Sequence, residues 1–286
     1  MEKLCLVNGP WPYAHVVHEF FKQETTCLDA QGKLVIKPQY VVAIDDDPVS
    51  AYYAAIIMKK AMMQFGQYPK MLCVGGKGML SKYLNRLSDG TVLSEGQKLF
   101  MTAQRVHSFP AHVLDGGNNT GANLKEIIDY LAAKGDSDAP IVFCPTQRLS
   151  KRLERTIVFT PQQFPDTKPL NAYYYVHGET LEEVLQLYNG KGLANGLPLL
   201  SELAALYDRT ATGQYTGKFM AEYDHEIPQN VHVAGQYLMR HYPIRVSRIP
   251  LTAPLQFWKM FNSVCSMRMA VAADLEKKIN LWQEIY

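Results

Sequence analysis

Five short, largely apolar runs constrain this chain more than anything else in it. They are Gln39–Ile44 (QYVVAI), Lys70–Val74 (KMLCV), Ala111–Leu114 (AHVL), Pro140–Cys144 (PIVFC) and Asn171–Val176 (NAYYYV). Each reads as a strand, and the continuous apolar run Gln39–Ile44 has the pattern of a strand buried on both faces. Helical patterns separate them. Val49–Phe65 is rich in Ala, Met and Ile, and Ser94 is a good N-cap for a helix from Glu95 to Val106. Leu124, Ile127, Ile128 and Leu131 fall at i, i+3, i+4 and i+7, the apolar face of an amphipathic helix. Leu149, Leu153 and Ile157 mark another. Strands and helices alternating at this spacing imply βαβ units with right-handed crossovers. The expected fold class is α/β: a Rossmann-like parallel sheet flanked by helices, with a mostly helical C-terminal segment.

The alternation stops after about Gly178. Helices are expected at Thr180–Tyr188, Leu197–Tyr207, Val231–His241 and Leu255–Trp282, and near the start at Tyr13–Lys22, with a loop over 79–92. A chain of 286 residues is long enough for two domains. The division expected is 1–178, a Rossmann-like ligand-binding domain, and 179–286, a mostly helical one. A net charge of +2 and a pI near 8.2 lack the basic stripe of a nucleic-acid binder. Five cysteines with no CxxC suggest a reducing compartment rather than a disulfide framework. Residues 1–17 have neither the charge nor the apolar run of a signal peptide, and no stretch approaches the ~20 apolar residues of a membrane span. A cytoplasmic protein is expected, with a small-molecule ligand, no nucleic acid and no membrane partner; oligomeric state is open.

Ligands of open α/β sheets collect beyond the carboxyl ends of the strands. Four such ends are polar or glycine-rich: Asp45–Asp47, Gly75–Gly78, Asp115–Thr120 and Pro145–Arg148. In VLDGGNNT, Gly116-Gly117 can take positive φ, and Asn118, Asn119 and Thr120 are helix-capping types. A glycine loop opening a helix offers N–H donors and a positive dipole end, so an anionic or zwitterionic ligand is expected there. Gly75 and Gly76 would let a ligand approach the backbone beside Lys77, the alternative being a tight turn with a solvated lysine. The stretch is neither GxxxxGK[ST] nor GxGxxG. Glu95 either complements the helix dipole or anchors a hydroxyl or amine. Asp45 either contacts a ribose or belongs to a capping cluster. Arg148 and Arg152, i and i+4, either fork onto an anion or lie on a solvated helix face. His15, His18 and Glu19 lack a third metal ligand, so no metal is expected. No GxSxG elbow is present. Cys73 and Cys144 read as core thiols.

The order of these motifs resembles the bacterial SanA/ElyC/YdcF-like domain-of-unknown-function family, and its YdcF branch most. The resemblance spans about Tyr40 to Val176. Gly75-Gly76 match its Gly-Gly step, Ser94-Glu95 its Glu step, Asn119-Thr120-Gly121-Ala122-Asn123 its Asn loop, and Pro145-Thr146 its Pro-Thr, with Arg148 or Arg152 as the basic partner. Ala122 stands where the family usually has Glu, and Gln147 and Leu149 where many members have a His. The resemblance implies a Rossmann-like fold and binding of S-adenosylmethionine or a related nucleotide. Two further readings are a transferase or hydrolase acting on a phosphorylated or nucleotide-linked substrate, and a non-catalytic interaction protein. The missing Glu and His favour binding over catalysis.

Overall fold

The computed structural model describes residues 16, 19–20, 22–44, 49–78, 85, 87–117, 119–163, 167–177, 228–231 and 233. Gln23–His177 belong to one compact unit. Its elements are β1 (Tyr40–Ile44), α1 (Val49–Phe65), β2 (Lys70–Val74), α2 (Glu95–Val106), β3 (Ala111–Leu114), α3 (Thr120–Lys134), β4 (Ile141–Cys144), α4 (Gln147–Gln163) and β5 (Ala172–Tyr174). The helices expected beyond residue 178, and most of Tyr13–Lys22, lie outside the described residues, so the proposed division at 178/179 does as well.

All four strand pairs are parallel, in the order β3-β2-β1-β4-β5. The chain winds outward from β1 to β3, crosses back through α3, and winds out the other way through β4 and β5. This is the doubly wound arrangement, with its reversal of direction between β1 and β4. The period of two along each strand sorts the core. Val41, Ala43, Met71, Cys73, Val142 and Cys144 face α1 and α2. Val42, Ile44, Leu72, Val74, Ile141 and Phe143 face α3 and α4. Both faces of β1 are covered, which is why its run is apolar throughout.

Helix ends follow their capping residues. Ser94 and Gln97 form a reciprocal capping box at the start of α2. Asn119 caps α3, and Gly135, in the left-handed region at φ 74°, ends it. β5 is shorter than its apolar run. Past Tyr175, whose N–H still reaches Phe143 O at 2.9 Å, the chain bonds to side chains: Val176 N–H donates to Thr25 Oγ1 at 3.1 Å, and that hydroxyl donates to Val176 O at 2.9 Å. Thr26 Oγ1 likewise accepts from Tyr174 N at 2.9 Å.

Candidate functional site

The direction reversal sits between the ends of β1 and β4, where a doubly wound sheet ordinarily opens a crevice. Here one side chain bridges those ends. Ser50, fully buried in the first turn of α1, accepts from Ile44 N at 2.8 Å and donates to Cys144 O at 2.7 Å. Nothing in the run VSAYYAAII distinguishes this serine from a neutral helix position. The loop between β1 and α1, with Asp45, lies outside the described residues.

The glycine-rich ends of β2 and β3 interlock one strand further out. Gly75 N–H donates to Leu114 O at 2.9 Å and Gly76 N–H to Gly117 O at 2.5 Å. The first amides of α2 turn back onto the same loop: Glu95 N–H to Gly76 O at 3.1 Å and Gly96 N–H to Gly75 O at 2.7 Å. Gly75 is at φ 142°, and a Cβ there would stand 2.7 Å from Glu95 Cβ. Gly76 has ordinary φ, but its Cβ would lie 2.2 Å from Gly117 O. Glycine is needed at both places to let two loops and a helix end touch.

The loop after β3 differs from expectation in two respects. Gly116 and Gly117 do not have positive φ. Gly117 is required by packing, since a Cβ on it would stand 2.1 Å from Asn123 Oδ1 and 2.7 Å from Asn123 N. The amides of this pair are also engaged. Gly116 N donates to Glu126 Oε1 at 3.0 Å, and Gly117 N to Glu126 Oε2 at 3.1 Å. Glu126, on the second turn of α3, is thus the anion this loop holds. It gives no motif in the sequence, because the glycines it serves lie nine and ten residues before it. Asn119 Oδ1 accepts from Ala122 N at 3.0 Å, and Asn119 O from Asn123 N at 2.9 Å. Thr120 opens the helix. Asn118 lies outside the described residues.

Gly75, Gly76, Glu95, Asn119, Thr120 and Asn123 are therefore brought to one linked cluster, with Ser94, Asp115, Gly117 and Glu126 added to it. Ser94 Oγ stands 3.5 Å from Asp115 Oδ2. Lys77 is exposed at its margin. Pro145 and Thr146 follow β4, on the far side of β1, where Thr146 O accepts from Leu149 N and Ser150 N at 3.0 Å each and starts α4. Arg148 and Arg152 follow on that helix, Arg152 half-buried; nothing further is described of the Arg148 side chain. The sheet thus separates the expected residues into a β2–β3 group and a β4 group.

Two cysteines near strand ends beside these groups, Cys73 in β2 and Cys144 in β4, are fully buried. Burial pushes the Cys73 thiol up to about 12 and the Cys144 thiol well above its ordinary value. They are packing residues, protonated at neutral pH. Among the described residues no three of His, Cys, Asp and Glu are placed to hold a metal ion, and no helix is long and apolar enough to cross a membrane. No protein-family model, curated protein or solved structure matches the chain.

Proposed function

We propose that the unit binds a nucleotide-type small molecule, S-adenosylmethionine or a related adenine nucleotide, at the carboxyl ends of its strands. One observation carries this reading: the glycine contacts at the ends of β2 and β3. Four backbone hydrogen bonds fix Gly75 and Gly76 to Leu114 O, Gly117 O and the first two amides of α2, and Gly117 packs in turn against Asn123 of α3. Such an arrangement brings the Glu95 and Asp115 carboxylates to the edge where doubly wound sheets receive ligands. The motif order that resembles the YdcF-like branch points the same way, and the cysteine usage fits a cytoplasmic protein. Binding without turnover is favoured over transferase or hydrolase chemistry. Ala122, Gln147 and Leu149 are not acid–base groups, and the buried thiols are not nucleophiles.

Calorimetric titration of the full chain with S-adenosylmethionine, adenosine and adenine nucleotides tests the proposal. Binding of at least one, weakened in Glu95→Gln with an unchanged melting temperature of the unliganded protein, supports it. If none binds, the ligand class is wrong. If Glu95→Gln binds as the parent does, the site is wrong.

A further inference from the structure

The sheet closes one of its edges and leaves the other open. At β5 the chain itself takes the outward groups of Tyr174. Its N–H donates to Thr26 Oγ1 at 2.9 Å, and its carbonyl accepts from Thr26 N at 2.9 Å and Cys27 N at 3.2 Å. β3 ends the sheet on the other side. Met71 N donates to Pro110 O at 2.8 Å and Gly75 N to Leu114 O at 2.9 Å, so the even-numbered residues of β3 turn their peptide groups toward β2. Alternation along the strand turns those of Ala111 and Val113 outward, where neither makes a bond among the described residues. The side chains leave this edge accessible. Ala111 and Val113 are half-buried on the face that carries Cys73, and His112 is exposed on the other, its ring stacked on Tyr130 at 5.1 Å. β3 has no Lys, Arg, Asp, Glu or Pro and no bulge in its register, the devices that ordinarily blunt an edge.

We infer that β3 pairs with β3 of a second copy of this chain, antiparallel about a two-fold axis at His112. Ala111 and Val113 lie two positions apart, so that axis sets each opposite the other's equivalent. Ala111 exchanges N–H and C=O with Val113 of the second copy, and Val113 does so with its Ala111. This register uses all four open groups and runs one continuous sheet through both copies. The extent of contact selects a second copy over an extended peptide. A bare peptide gains main-chain bonds along two residues, too few to offset the freedom lost on association. A second copy adds side chains on both faces: His112 meets its equivalent beside the two Tyr130 rings, and Ala111 and Val113 meet theirs on the opposite face. A net charge of only +2 per chain opposes the pairing little.

Sedimentation velocity of the full chain over a concentration series tests the inference, and a monomer–dimer equilibrium is expected. Val113→Pro deletes an outward N–H and leaves the bonds to β2 whole, and should weaken the dimer about tenfold or more. His112→Lys sets like charges directly opposite and should weaken it as much; its side chain is exposed, so this variant decides the matter if Val113→Pro does not fold. In the proposed register the two His112 Cα atoms stand about 4.5 Å apart, within reach of a disulfide. His112→Cys should therefore yield a 112–112 cross-linked peptide under mild oxidation, identified by mass spectrometry. A parent chain that stays monomeric up to about 100 μM overturns the inference. So does a dimer whose dissociation constant changes less than about threefold in His112→Lys, or one that gives no 112–112 peptide.

Discussion

Replacing Ser50 by alanine removes one oxygen from the centre of the sheet and strands two backbone groups. Ile44 N–H and Cys144 C=O belong to residues that are 1% and 0% exposed, and each is bonded to the Ser50 hydroxyl, at 2.8 and 2.7 Å. A buried group left unpaired costs about 1–3 kcal/mol, so the substitution should destabilise the unit by roughly 2–4 kcal/mol, allowing for partial relaxation. Little packing is lost, because alanine keeps the Cβ and has good helix propensity. Hydrogen exchange followed by mass spectrometry reads the effect within the unit. Peptides spanning Tyr40–Ile44 should exchange faster by about two orders of magnitude, the equivalent of such a loss. Ser50→Thr, which retains a hydroxyl, should recover part of the protection if its methyl is accommodated. Exchange accelerated less than about threefold over the parent in Ser50→Ala, a loss under ~0.7 kcal/mol, would show that the two groups find other partners and that the bridge is dispensable.

Three further outcomes follow from the packing and charge already described. Gly117→Ala should cost about 1–3 kcal/mol because its Cβ meets Asn123 backbone and side chain; Gly116→Ala, whose Cβ meets only the Glu126 side chain at 3.1 Å, should cost less, and equal melting temperatures would refute the close-approach account. Glu126→Ala should speed amide exchange at Gly116 and Gly117 while leaving the β1 peptides unaffected; unchanged exchange at the glycines would mean the carboxylate does not hold them. Cys27, Cys73 and Cys144 should resist iodoacetamide at pH 8 until the protein is denatured, with site-resolved mass spectrometry as the check. Burial raises Cys27 and Cys73 from 9.0 to about 12, so the stability tied to keeping them neutral is complete below pH 9 and declines as pH rises toward 12; labelling at pH 8 as fast as in urea would contradict it.

Element boundaries were legible because each rests on local chemistry. Apolar runs fix β2 and β3 to the residue, and Ser94 and Asn119 place the starts of α2 and α3 through their own side chains. Parallel pairing followed from the alternation of strands with helices. The order of strands was not legible: whether α3 returns the chain beside β1 or beyond β3 depends on packing between residues distant in sequence. That crossing carries Pro145 and Thr146 away from the glycine loops, which the linear spacing of polar strand ends did not reveal. The glycines were legible as special but for the wrong reason at Gly116 and Gly117, where contact with Asn123 and Glu126 matters and positive φ is absent. Ser50 and Glu126 were invisible because their partners are backbone atoms, which every sequence supplies alike.

The two threonines beside β5 have a consequence for how this unit is carried in a chain. Thr25 is bonded in both directions to Val176, 151 residues later. The two ends of the Gln23–His177 stretch are therefore fastened together at one spot on the sheet's edge. A module whose ends meet can be spliced into a longer polypeptide, or re-cut with new termini elsewhere, without stretching the fold between them.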